Sequence, residues 1–210
     1  LHEMIHKTIK DHARIVFNGN GYDDAWIDEA VNERGLHNLR TTPDCMPRLL
    51  DEKNVTMLTS HGVFTLAEME SRTEIMLENY CNSIEIEAAT MISMAHAEII
   101  PAVEAYLREV AETAAAKRAV APNASVECEV GLVERLSSLV ERMFVAVGEL
   151  EEAVTHLDET ADVTERSDRI RDEVLPAMEA LRAPADEAEA ITAKGFWPFP
   201  TYGDLLFGVR

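Results

Sequence analysis

Residues 126–157 read VECEVGLVERLSSLVERMFVAVGELEEAVTHL, and this stretch decides the fold. With Val133 taken as position a of a heptad, Val133, Val140, Val147 and Val154 fill every a, and Leu136, Met143, Leu150 and Leu157 fill every d. Apolar residues spaced alternately by three and four predict a helix laid along other helices. Position g is apolar too (Leu132, Leu139, Ala146, Ala153), and Phe144 adds an e. That face is wider than a two-helix seam, so the sequence predicts a bundle helix with more than one neighbour. The stripe explains architecture and carries no chemistry.

The composition agrees. Hydrophobic residues make up 47% of the 210 and aromatics only 6%, and there are 9 glycines and no evident alternating strand repeats. A core of Leu, Val, Ile, Met and Ala suits helix packing better than a sheet sandwich. An all-α protein of long kinked antiparallel helices is expected, large enough for one or two domains. The formal charge is −20. Nucleic acid is a polyanion held largely through Lys and Arg, so no nucleic-acid partner is expected, and an anionic membrane surface is disfavoured for the same reason. No apolar run reads as long enough to span a bilayer, nothing resembles a signal peptide, and no membrane partner is expected. Cys45, Cys81 and Cys128 are isolated and cannot all pair, which fits a reduced, cytoplasmic setting. The chain begins at Leu1 in what reads as a running helix with no initiating Met, as a piece of something longer would.

Outward from the heptad helix, residues 65–68 read Thr-Leu-Ala-Glu, a capping box. Nothing breaks the helical pattern from there to Pro101, and helix formers continue to about Arg118, which predicts a helix of roughly 80 Å kinked near Pro101. Ile84, Ala88, Ala89, Met91, Ile92, Ala95, Ile99 and Ile100 crowd its second half, so burial on more than one side is expected there. Residues 121–123 form the turn, and the heptad helix returns antiparallel. Thr164 is expected to cap a third long helix with Ile170, Val174, Met178 and Leu181 inward and a kink at Pro176. A weak helical turn or two comes next over 186–193. Upstream lie shorter pieces. Ile5, Ile9, Ala13 and Val16 make one helical stripe. Asn18-Gly19-Asn20-Gly21 is a turn, and Asp23 or Asp24 caps a helix with Trp26, Ile27, Ala30 and Val31 inward, stopped by Gly35. Residues 36–40 are extended or irregular. Thr42-Pro43 reads as N-cap plus proline, and a further helix over 55–60 closes at His61-Gly62. A break near Gly62 divides the chain into a short-helix segment, 1–62, and a long-helix bundle with an aromatic tail, 63–210.

Sequences that suggest chemistry are few. His2-Glu3-Met4-Ile5-His6 is an H-E-x-x-H, the zinc-protease pattern in which two His one turn apart face a metal and the Glu activates its water. His12 stands where the long form has a third His, but Ile9 occupies the Gly that must turn the chain, leaving His12 roughly 15 Å along the axis from His2. An exposed helical surface is the preferred reading. A dinuclear bundle needs two E-x-x-H pairs, and only Glu3-x-x-His6 exists. Glu87 and Glu98 share an apolar stripe and are expected to pair with Arg or reach solvent rather than act. In Gly19-Asn20-Gly21 the third glycine of a phosphate loop is Asp24, whose charge repels phosphate. The cysteines lack an obvious base. No catalytic, cofactor-binding or metal-ligating residue is therefore assigned.

The tail differs. Both prolines of Trp197-Pro198-Phe199-Pro200 forbid helix. Phe196, Trp197, Phe199, Tyr202, Leu205, Leu206 and Phe207 are candidate docking residues, which either plug the end of their own bundle or seat on a neighbouring subunit or domain.

Residues 12–22 (HARIVFNGNGY), Trp26, Arg34-Gly35-Leu36-His37-Asn38-Leu39 and Thr41-Thr42-Pro43 together resemble type III glutamine synthetases downstream of their catalytic motifs. Residues 61–65 (HGVFT), 84–88 (IEIEA), 174–178 (VLPAM) and 197–207 (WPFPTYGDLLF) continue the resemblance in order, the last block being the most specific. Residues 111–157 support it only by helical character, and residues 42–80 resemble the helical stretch that closes the catalytic domain of glutamine synthetases generally. The resemblance implies an enzyme that joins glutamate and ammonia at the expense of ATP, with Mg²⁺ or Mn²⁺, built as two stacked hexameric rings. The blocks that carry its acidic metal ligands, glutamate site and nucleotide site are not in this sequence, so no catalytic residue is carried over. The chain is expected to be structural, inactive alone and partnered by the enzyme's own catalytic domain and neighbouring subunits. A free-standing helical scaffold or coiled-coil module is the alternative, and an H-E-x-x-H metalloprotease a remote one.

Overall fold

A computed structural model describes residues 1–158 and 160–208. Every regular element among them is helical. Three long antiparallel runs make the bundle. The first joins α5 (Leu66–Met94) and α6 (Ile100–Val120) through a π-turn at Ala95–Ile99. The second is α7 (Glu127–Asp158). The third joins α8 (Val163–Arg169) and α9 (Leu175–Ile191) through a π-turn at Ile170–Val174. The middle helix α7 packs on both α6 and α9, while α5 packs on α8. Pairs at matching depths set the antiparallel sense. Lys117 meets Glu129 near the α6–α7 turn, His96 meets Glu151 at 3.1 Å further down, and Arg142 of α7 meets Glu187 of α9 at 3.0 Å.

The buried face of α7 is centred between d and g. Leu136, Leu139, Met143, Ala146, Val147, Leu150 and Leu157 are buried, whereas Val133, Val140 and Val154 at a are only half-covered. Phe144 does not join that face and is 66% exposed. At about 100° per residue an e position lies beyond a, on the side away from d and g. Along the first run Ala88, Ala95 and Val103 are fully packed. Ile84, Met91, Ile92, Ile99 and Ile100 are half-buried, and Ala89 faces out, so burial on several sides is only partial. On length and composition this Leu66–Val120 run is also apolar enough to cross a membrane, with a mean hydropathy of 1.2 over 18 residues, contrary to the sequence reading.

Both π-turns of the bundle precede a proline by the same step. A proline in a helix lacks the N–H and its ring strikes the carbonyl four residues back. For Pro101 and Pro176 those carbonyls belong to Ala97 and Asp172, each inside its π-turn, where the wider coil gives the ring room. Pro184 is treated differently. The sequence predicts a weak turn after it, but α9 runs through it without interruption to Ile191. Pro184 is itself fully buried, with Leu181 and Ala188 on the same face, and packing of that face offsets a helix penalty of about 3 kcal/mol.

The shorter elements precede the bundle. They are α1 (His2–Asp11), α2 (Asp24–Asp28) with its π-turn extension Glu29–Glu33, α3 (Thr42–Cys45) with a 3₁₀ turn at Met46–Leu50, and α4 (Glu52–Ser60). Asp23 caps α2 through the amide of Ala25. Gly35 and Gly62 take φ of +61° and +64°, and each lets the next amide reach back into the helix, Leu36 to the Ala30 carbonyl at 2.8 Å and Val63 to that of Leu58 at 2.9 Å. Of the expected inward set, Ala30 is buried, Trp26 and Ile27 are half-buried, and Val31 is exposed. Two caps fall beside the expected ones. Thr41 rather than Thr42 caps α3, and Asp162 rather than Thr164 caps α8. In each case the residue with extended backbone takes the cap, as the geometry requires. The Thr65–Glu68 capping box opens α5 as the sequence predicts, and its hydrogen bonds hold the Glu68 carboxyl below its ordinary range.

Candidate functional site

The tail is divided in two by its prolines and its caps. After α9 the chain turns at Thr192, and Pro198 and Pro200 keep the adjoining residues out of helix. Phe196 meets Tyr106 of α6 with ring centres 5.3 Å apart, Trp197 packs on the bundle core, and Phe199 sits edge-on to Trp197 at 6.3 Å. These three are half-buried, Phe196 and Trp197 against their own bundle and Phe199 against Trp197.

The second part is a short helix absent from the sequence reading, α10 (Tyr202–Phe207). A capping box holds it. The Thr201 hydroxyl accepts from the Asp204 amide, and the Asp204 carboxylate accepts from the Thr201 amide at 2.9 Å. Lys194 donates to the same carboxylate at 2.7 Å. Lys194 first, and Thr201 after it, bring the Asp204 carboxyl down to about 2. The signal for this helix, Thr-x-x-Asp before apolar residues, is the same kind of pattern that marks Thr65. On this helix Tyr202 is 81% exposed, Leu205 68%, Leu206 66% and Phe207 80%. The two destinations open to the tail thus fall to different residues: Phe196, Trp197 and Phe199 dock in cis, and the last four present an apolar knob with no cover from the described residues of this chain.

At the other end α1 buries nothing. Behind it, residues 13–36 fold on a small aromatic centre. Phe17 stacks on Trp26 at 4.0 Å, and Arg34 lies over both rings. Its guanidinium donates to the Val16 carbonyl at 2.8 Å and the Arg14 carbonyl at 3.2 Å, and pairs with Glu29.

The residues with possible chemistry are scattered. His2, Glu3, His6 and His12 stand on an exposed helical segment, and α1 continues through Ile9 and Lys10 as the sequence implies. Among the described residues no three His, Cys, Asp or Glu side chains gather as a metal group would. Around Gly19-Asn20-Gly21 the local bonds are turn and capping bonds, with the Tyr22 amide donating to the Asn20 side chain at 3.1 Å. Glu87 and Glu98 reach solvent. The carboxylate that matters between helices is one that the sequence does not single out. Glu85 of α5 meets Arg166 of α8 through two contacts of 2.7 Å, both side chains largely covered. Beside it Cys81 is a buried free thiol, pushed up by burial. Arg171 gathers Asp172 at 2.7 Å, Asp168 at 2.8 Å and Asp44 at 3.0 Å, which ties α3 to the bundle. These ionic contacts serve cohesion between helices.

The glutamine synthetase C-terminal domain family matches residues 1–118. The chain is 36% identical over 208 residues to a glutamine synthetase of Butyrivibrio fibrisolvens. It is 29% identical over 209 residues to a type-3 glutamine synthetase of Dictyostelium discoideum, and 26% identical over 197 residues to a glutamine synthetase of Bacteroides fragilis (strain YCH46). These similarities cover 99%, 98% and 92% of this chain but 30%, 28% and 27% of the relatives. The chain therefore spans less than a third of the length of these relatives, and the likeness runs through α7 and the tail as well as the segment that the family matches. The chain belongs to the glutamine synthetase C-terminal domain family.

Proposed function

We propose that this chain is the C-terminal helical part of a type III glutamine synthetase, and that its own role is structural: it braces the fold and supports subunit assembly. The full-length enzyme joins ammonia to glutamate at the expense of ATP in the cytoplasm. ATP and Mg²⁺ or Mn²⁺ belong to the remainder of that enzyme, as do the partners, the catalytic domain and the neighbouring subunits of two hexameric rings. On this reading residues 1–62 complete the catalytic domain, and residues 63–210 are the added bundle.

One observation carries the structural role. The bundle covers its own core with Phe196, Trp197 and Phe199, yet holds Tyr202, Leu205, Leu206 and Phe207 outward on a capped helix. Four large apolar side chains fixed in water favour a partner surface. The test is the full-length enzyme truncated before Thr65 or before Thr201, then measured by sedimentation. The reading expects disrupted rings in both, and rings of normal size in either would overturn it.

A further inference from the structure

An apolar cleft of about 230 Å³ opens between the first run, α7 and α9. Met143 of α7 is fully buried there, Met91, Met94 and Ile99 of the first run are half-buried beside it, and Leu181 comes from α9. The π-turn Ala95–Ile99 supplies part of the wall, and wide turns of this kind recur at functional sites. Methionine side chains bend to fit what enters, which suits an apolar guest. Size narrows that guest. An apolar cavity of about 150 Å³ holds benzene, while drug-sized ligands need about 300 Å³ or more.

The rim carries charge of both signs. Arg182 and Asp186 line the cleft one helical turn apart on α9, with side chains 70% and 62% exposed, and Arg182 Nε donates to Asp186 Oδ2 at 3.3 Å. Among the described residues that is their only polar contact, so the terminal nitrogens of Arg182 and Oδ1 of Asp186 keep hydrogen-bonding capacity. A guest with a carboxylate alone would set it beside Asp186, and one with an amine alone would set it beside Arg182. A guest with both groups on one carbon satisfies both residues, its carboxylate accepting from the guanidinium and its ammonium donating to the carboxylate. We infer that this cleft binds an α-amino acid with a large apolar side chain, such as leucine, methionine or phenylalanine. The side chain lies among Met91, Met94 and Met143, and the two charges meet Arg182 and Asp186. The site is built from the bundle alone and does not depend on the role proposed above.

The test follows the isotope-labelled methionine methyl signals of residues 1–210 by NMR during titration with L-leucine. The inference expects Met91, Met94 and Met143 to shift together and saturate with a dissociation constant on the order of 1 mM. Met69, buried on α5 roughly 33 Å along the run from Met91, should not move. Isocaproate, which lacks the ammonium, and isoamylamine, which lacks the carboxylate, should each bind at least about tenfold more weakly. So should L-leucine to the double variant Arg182→Gln with Asp186→Asn, whose changes lie in solvent and should leave the Met143 signal of the free protein in place. No shift of the three methionines with L-leucine at about tenfold above that constant would overturn the inference. Equal affinity for L-leucine, isocaproate and isoamylamine would also overturn it, as would movement of the three signals on dilution of the free protein, which would seat a second copy in the cleft.

Discussion

The heptad helix α7 and the terminal helix α10 are both apolar, and they do opposite things with it. Leu136, Met143 and Leu150 of α7 are fully excluded from water, while Leu205, Leu206 and Phe207 of α10 remain about two-thirds or more exposed. The difference lies in where neighbours fall. Helix α7 has α6 on one flank and α9 on another, whereas α10 is held away from the bundle by Pro198 and Pro200 and fixed by Lys194 and the Thr201–Asp204 box. A helix held in this way keeps its apolar side chains uncovered by the described residues. The same contrast separates α1 from the long runs.

Substitutions can break or sharpen this contrast. Leu150→Ala should open a cavity at the centre of the bundle and cost about 3 kcal/mol, read from the denaturant midpoint; a loss below about 1 kcal/mol would mean that α7 is not the organising helix. Arg166→Met strands the largely covered Glu85 carboxylate and should cost about 1–2 kcal/mol, with Glu85→Leu added in the same chain restoring most of it. Phe144→Ser should change stability by no more than about 0.5 kcal/mol, although heptad position e would place it in the seam. The smallest effect is on pH. Asp204 has its folded value depressed from 3.8 to about 2, so its contribution is present above the ordinary value and is lost as pH falls through about 2. The NMR signals of α10 should keep helical shifts at pH 5 and lose them between about 4 and 2. Asp204→Asn should flatten that dependence.

Much of the bundle is legible in the sequence because its period is long and unbroken. Eight a and d positions without a miss define α7, and the Thr65 capping box and the turn at residues 121–123 bound the first run. Where sequence and structure part, the cause is physical. Residues 186–193 read as only a weak turn or two because propensity is local, but the Pro184 ring before them is buried and tertiary packing carries α9 on to Ile191. Thr42 and Thr164 read as caps because capping residues cluster, and only backbone angles decide among neighbours. Helix α10 is hidden behind two prolines that forbid helix before it and leave the residues beyond them free to form one. The tail residues are legible as a cluster of large apolar side chains, but which of them pack on this chain depends on where Tyr106 of α6 comes to lie, 90 residues earlier in the chain than Phe196. The family resemblance rests most on segments with little periodicity, the N-terminal loops and the aromatic tail.

The most direct test of the account is sedimentation of the full-length enzyme carrying Leu205→Ser, Leu206→Ser and Phe207→Ser, with the unfolding of the bundle measured in parallel. The account predicts bundle unfolding within about 0.5 kcal/mol of the parent together with loss of the ring assembly. Rings of normal size and stability in that triple variant would contradict it.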